Sequence, residues 1–322
     1  MDTRRLSTAE SRLANRYEVL NDGLSSVVVL HKASKQRKLL YKIELTRVPG
    51  EERKWALIDY INEYKGLHLL PCMVKLGESF RDANVFYVAQ EGVKFVTLRD
   101  ELAASVNANV ALAEESIRAW LCQILLALQA LHTRNVVHGA VTLNNVFVVG
   151  RNDSVRLGPT NDFLQMHKDP ASVTHQISTF RTAKNGSATS RGGGGGVSAT
   201  SGVGGVSEQF KTAHDSMECL HHLAPEMFNA GGDVENANDV WALGILAYKL
   251  AAHVAPFQGH TPVHAVMSIH RSDPDWQLLL DRGYSPEFVD VVREMLTKDP
   301  TNRSTCRHLL NMDYFPASMN FE

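Results

Sequence analysis

Cysteine and histidine are the side chains best able to hold a soft metal or to act as nucleophiles near neutral pH. The four cysteines, Cys72, Cys122, Cys219 and Cys306, lie far apart, with neither a CxxC pair nor a zinc-type spacing. They fit scattered apolar positions in a reducing compartment. His214, His221 and His222 form no helical i, i+4 pair, so they read as satisfied or solvated histidines, and no metal site follows from them. A run of five glycines, Gly192 to Gly196, could cradle a phosphate only between a strand and a helix. No strand leads into it and no helix follows, so it reads as linker. The remaining carriers of chemistry are single polar residues: Lys42 in LLYKI, Glu63 in INEYKG, His138 and Asn145 in VVHGAVTLNNVFV, then Asp162, Glu226, Asp239 and Arg303. Taken alone, a strand lysine and a helix glutamate are ordinary surface residues, and Asn145 could equally bond loop backbone. What they do depends on the elements that position them.

Those elements must come from a chain of 322 residues, enough for about two domains at ~150 residues each. Apolar residues at 44% and charged residues at 21% are ordinary for a globular chain with a sizeable core. The 33 basic and 35 acidic residues leave a net charge of −2, so no global basic field draws nucleic acid or anionic lipid. The apolar stretch from Ile117 to Leu131 is broken by Arg118, Gln123 and Gln129 and falls short of the ~20 residues of a membrane span. The opening MDTRRLSTAESRLANRY has no apolar core of a signal peptide. An intracellular chain, cytoplasmic or nuclear, is the expectation.

From Tyr17 to about Val88 the chain is strand-like: VVVLHKA, KLLYKIEL and NVFYVAQ are rich in β-branched or aromatic residues. Between them EERKWALIDYINEYKGLHLL, residues 51–70, spaces Trp55, Ile58, Ile61 and Leu67 as on a helix. The second half is helical. EESIRAWLCQILLALQALH repeats apolar residues at three and four, NDVWALGILAYKLAA is apolar all round, and SPEFVDVVREML begins with a serine cap and proline. Residues 181–210 are Gly/Ser-rich and cannot bury enough surface to order, so a flexible insert is expected, with Ser187, Thr189, Ser190 and Ser198 as exposed hydroxyls.

The passage ALHTRNVVHGAVTLNNVFV followed by SVRLGPT resembles the catalytic-loop region of eukaryotic protein kinases. HLAPEMF is similar to their Ala-Pro-Glu motif. NDVWALGILAYKLAAHVAPF resembles the helix that follows it, and MLTKDPTNRSTCRHLL the closing helices with their Arg. KLGESF and NVFV resemble the NIMA-related group. The resemblance runs from about Tyr17 to Phe315. It implies an α+β, bilobal protein-kinase-like fold: a small β-rich N-lobe with one main helix, about 17–91, and a larger helical C-lobe, about 92–316. Residues 1–16 and 317–322 would be tails.

Position by position, the resemblance implies a degraded catalytic set. Of the Gly-rich loop only Gly23 remains, with Ser25 and Val28 at the other glycine positions. Lys42 falls at the phosphate-gripping Lys and Glu63 at its helix partner, while Gln90, Glu91 and Val93 fall at the hinge. In the catalytic loop His138 matches, but Gly139 replaces Arg, Ala140 the base Asp, and Thr142 the loop Lys. A methyl group cannot take a hydroxyl proton, and such base assistance is worth ~10²–10⁴ in rate. Asn145 matches the metal-binding Asn. Pro159 stands where the metal-binding Asp belongs and offers no ligand, whereas Asp162-Phe163 fits that motif only after a longer hairpin. His138, Glu226, Asp239 and Arg303 match structural positions, with Glu226 and Arg303 expected to form a buried ion pair.

Fold-supporting residues persist while chemistry-bearing ones are replaced, so the resemblance implies a non-enzyme. Such a pseudokinase would serve as a scaffold or allosteric module for protein partners such as an active kinase or a signalling complex, with no nucleic acid and no membrane span. No cofactor would be required, and ATP would be an optional ligand without Mg²⁺. The alternatives are a divergent ATP-binding Ser/Thr kinase with residual phosphotransfer through Lys42, Asn145 and Asp162, or a nucleotide sensor.

Overall fold

The computed structural model describes residues 12–23, 26–48, 50–91, 96–150, 154–159, 222–228, 236–259 and 261–315. The tails at 1–11 and 316–322, the insert at 181–210, Val93, Asp162, His214 and His221 lie outside the described residues. The described chain falls into two compact units, one of residues 12–69 and 74–91, the other of 70–73, 96–159 and 222–315.

The first unit is an antiparallel sheet of β1 (Tyr17–Asp22), β2 (Ser26–His31), β3 (Arg37–Glu44), β4 (Lys75–Asp82) and β5 (Val85–Glu91), in the order β1-β2-β3-β5-β4. Two helices accompany it, α1 (Arg12–Arg16) and α2 (Glu51–Tyr64). Successive side chains of a strand point to opposite faces, and β3 divides accordingly. Tyr41 and Ile43 pack with Leu57, Ile58 and Ile61 of α2 and with Phe86 and Val88 of β5. Leu40 packs on the other face with Tyr17, Val27, Val29, Phe80 and Tyr87. By the same alternation Lys42 shares the face of Leu40, away from α2.

Three sequence expectations change here. β1 and β4 are strands that hydrophobicity alone did not mark, because five of the six residues of β1 are exposed and β4, KLGESFRD, buries only Leu76 and Phe80. The helix expected over 51–70 ends at Tyr64, and Lys65–Leu69 continue as a tighter 3₁₀ turn. Trp55, placed on the helix's apolar stripe, is 54% exposed and lies under the Arg81 guanidinium, 5.7 Å from the ring centre.

The second unit holds α3 (Leu98–Ala108), α4 (Glu114–His132), the two-stranded ribbon β6 (Val146–Val149) and β7 (Ser154–Leu157), α5 (Asn236–Ala252), α6 (Pro262–Arg271), α7 (Trp276–Asp281), α8 (Pro286–Met295) and α9 (Cys306–Leu310). The apolar stripe Ile117, Leu121, Ile124, Leu125, Leu128 and Leu131 of α4 is buried, as its spacing predicts. Nearly all of α5 is buried, which fits a helix without a polar face. One polar group links α4 to the ribbon: buried Gln123 accepts the Val155 N–H at 3.0 Å and donates to Ala119 O at 3.0 Å. The cap of α8 forms as expected, with Ser285 Oγ accepting from Phe288 N–H at 3.1 Å. Among the described residues, no helix is long and apolar enough to cross a membrane.

Candidate functional site

The loop between α4 and β6 is held from α5. Asp239, in the first turn of α5 and buried, accepts the His138 N–H on Oδ2 and the Gly139 N–H on Oδ1, both at 2.7 Å. His132 Nε2, at the end of α4, lies 2.9 Å from the same Oδ2. A carboxylate taken out of water requires such donors. Gly139 has φ = 67°, a left-handed conformation that glycine adopts without strain. His138 is fully buried: its Nε2 lies 3.1 Å from Gly158 O, and its Nδ1 accepts the Ala140 N–H at 3.2 Å. Both contacts are satisfied together only by the neutral ring with its proton on Nε2. Burial accordingly pushes the His138 pKa below its usual value, against the pull of the Asp239 carboxylate and the bond to Gly158.

Asn145 closes the same loop. Its Nδ2 donates to Ala140 O at 3.0 Å and to Pro159 O at 2.8 Å. A Cβ on Gly158 would come within 2.0 Å of Asn145 Oδ1, so the close passage of the two chains requires glycine there. Thr142, where the family has Lys, precedes a short 3₁₀ turn at Leu143–Asn145 and brings no charge. Ala140 presents a methyl group.

Arg303 and Glu226 meet at two points: Nη1 to Oε1 at 2.6 Å and Nη2 to Oε2 at 3.0 Å. The guanidinium, wholly buried, also donates to the carbonyls of Thr297, Ala237 and Lys298 and stacks 5.0 Å from the Trp241 ring centre. Every donor edge of the fork is used, which makes this a buried charge with full compensation.

In the sheet unit the geometry departs from what the resemblance implies. Lys42 Nζ donates to Gly23 O at 2.8 Å and forms an ion pair with Asp22. Lys42 lies on the face opposite α2, so the residue of β3 that meets α2 is Tyr41, whose hydroxyl donates to Gln90 Oε1. Glu63 is on α2, but its side chain lies outside the described residues. The β1–β2 turn also closes earlier than expected. Gly23 N–H donates to Ser26 O at 2.9 Å, and Val28 is inside β2, opposite Asn21 and Leu39. Val28 is therefore part of a strand, as the run VVVLHKA predicts. Glu91 ends β5, where its side chain crosses Gly77 so closely that a Cβ there would stand 1.9 Å from Oε1. Sequence reasoning missed Asp22 and Tyr41. The signal for Tyr41 was in the alternation of β3, since buried Leu40 sets the parity.

Of the positions the resemblance sets against Mg²⁺, Asn145 and Pro159 are described, and Asp162 lies outside the described residues. Mg²⁺ wants near-octahedral oxygen donors. Asn145 uses both N–H groups of its amide on carbonyls, which leaves Oδ1 as its oxygen donor, and Pro159 offers only its carbonyl, which accepts from Asn145. Among the described residues no group of three or more His, Cys, Asp or Glu converges as metal ligands would.

A five-stranded antiparallel sheet with a main helix, and a helical unit whose α4–β6 loop is bonded by an aspartate of a buried helix, define an α+β, protein-kinase-like fold. The protein kinase domain model matches residues 15–163 and 202–315, and the chain belongs to that family. It is 22% identical over 298 residues to serine/threonine-protein kinase Nek9 of Xenopus laevis, covering 91% of this chain and 26% of that one. It is 23% identical over 334 residues to serine/threonine-protein kinase RAD53 of Saccharomyces cerevisiae, covering 97% of this chain and 35% of that one. The chain thus spans about a quarter to a third of the length of these curated relatives. The crystal structure of Rad53 1-466 in complex with AMP-PNP has a similar fold, with a TM-score of 0.63 and 20% identity over 94% of this chain and 66% of that chain.

The relatives correct one expectation. The replaced loop residues imply a non-enzyme, yet proteins that match most of the chain are named serine/threonine-protein kinases. Loss of a base bears on the rate of a reaction, by about 10²–10⁴.

Proposed function

We propose that the domain is a divergent serine/threonine protein kinase that binds ATP and transfers its γ-phosphoryl group slowly to protein hydroxyls. The observation that carries this is the loop between α4 and β6. Asp239 still bonds the backbone at His138 and Gly139, and Asn145 still ties Ala140 to Pro159, although the reactive side chains have changed. Phosphoryl transfer proceeds through a loose transition state in which positioning and charge stabilisation dominate. A substrate hydroxyl oxygen forms the new bond to γ-phosphorus as the bond to the β–γ bridging oxygen breaks and ADP leaves. With Ala140 at the base position, the hydroxyl proton departs to water or to a phosphoryl oxygen. That route costs about 10²–10⁴ in rate relative to a positioned carboxylate. Thr142 in place of a lysine removes one cation from the transferring phosphoryl group. The nucleotide reading is supported by Rad53, which was crystallised with AMP-PNP.

The test is incorporation of label from γ-labelled ATP into casein by the full chain, followed by phosphoamino-acid analysis. Slow labelling of serine and threonine, reduced in Asn145→Ala, is the expected result. Labelling no greater than with heat-denatured protein would overturn the proposal.

A further inference from the structure

β1 and β2 change register between Val19 and Asn21, and beyond that shift Asp22 pairs with Val27. The turn then closes on itself. The Gly23 N–H, which a phosphate-binding turn would offer to its ligand, is spent on Ser26 O at 2.9 Å. A Cβ at Gly23 would sit 2.9 Å from that oxygen, so glycine serves the closure of the turn. The ammonium under the turn is also committed: Lys42 Nζ donates to Gly23 O at 2.8 Å and pairs with the Asp22 carboxylate. The Lys42 side chain is 16% exposed and that of Asp22 is 63% exposed, so the anion is the member of the pair that faces solvent. Further carboxylates lie near this pair. Burial raises the pKa of Tyr87, opposite Lys42 on β5, and the nearby charges of Asp82, Asp22 and Glu44 raise it further.

We propose that Asp22 determines the ligand charge this turn accepts, acting as a built-in competitor of a nucleoside polyphosphate for Lys42. The inference rests on the ATP-binding reading above and adds a residue that tunes it. With Asp22 in place, an incoming phosphate meets a neutralised lysine and a fixed negative charge, and like charges repel at short range. A nucleoside without phosphates meets no such opposition. The site therefore discriminates against anionic charge, and Asp22 is the source of that discrimination.

Calorimetric titration of the full chain with ATP and, separately, with adenosine tests the assignment in wild type, Asp22→Asn and Lys42→Met. Asp22→Asn keeps the shape and removes the charge. It should tighten ATP by about twofold to fivefold, the range of one partly exposed charge pair, and leave adenosine unchanged. Lys42→Met strips the counter-charge from Asp22 and should weaken ATP more than adenosine. An unchanged ratio of ATP to adenosine affinity in Asp22→Asn would overturn the role of Asp22 while leaving ATP binding standing. Absence of binding by either ligand to all three proteins would overturn both. Matching thermal melts of Asp22→Asn and wild type confirm that the fold is intact.

Discussion

Asp239 shows how a single carboxylate can keep a loop in shape while the residues around it change. Its two oxygens bond backbone N–H groups of His138 and Gly139, and no side chain at 139 or 140 takes part in those bonds. His138 depends on its own charge state. Because burial lowers its pKa in the folded chain, the unfolded chain takes up a proton near pH 6.5, while the folded chain resists until lower pH. Its contribution is therefore complete above about pH 6.5 and declines as pH falls through the window below. The urea midpoint should drop between pH 7.5 and 5.5, and the drop should shrink in His138→Gln. Equal drops in the two proteins would show that His138 does not carry the effect. At this scale the sequence was informative where motif order placed a residue, as for His138, Asp239 and Arg303. It was silent where the face of a strand mattered, as for Lys42.

At the scale of elements, β3 explains the Lys42 outcome. Motif spacing identifies a lysine in a strand, but only the pairing of β3 with its neighbours decides which of Tyr41 and Lys42 meets α2. A shift of one residue exchanges the faces. β4 escaped a hydrophobicity-based reading for a related reason, since it is an edge strand that buries only Leu76 and Phe80. The strongly periodic α4 and the apolar α5 were legible because their burial is set by their own pattern. The link between the 3₁₀ turn at Pro225–Phe228 and the segment before α9 rests on Glu226 and Arg303. Removing one partner leaves the other charge uncompensated. Glu226→Ala should therefore cost about 3–5 kcal/mol in a denaturant melt. The double variant with Arg303→Met should be less destabilised than the sum of the two single changes. Additive losses would mean that the pair contributes no coupling.

At the scale of the whole molecule, family membership rests on a match across both units, and it sets the fold rather than the rate of any reaction. The fold class was legible because several motifs occur in the right order over most of the chain. Catalytic competence was not, because it depends on how far a loop can act without its base, which residue types alone do not reveal. The loop keeps its backbone bonds to Asp239 and Asn145 while its base, its lysine and the metal-binding aspartate are replaced, and the base is the loss that a single substitution restores. The most direct measurement is the initial rate of phosphate transfer from ATP to casein by wild type and Ala140→Asp, at equal concentration and after matched thermal melts. Restoring the carboxylate should raise the rate by about 10²–10⁴. Rates that remain equal, or that stay at the level of heat-denatured protein in both, would contradict the account.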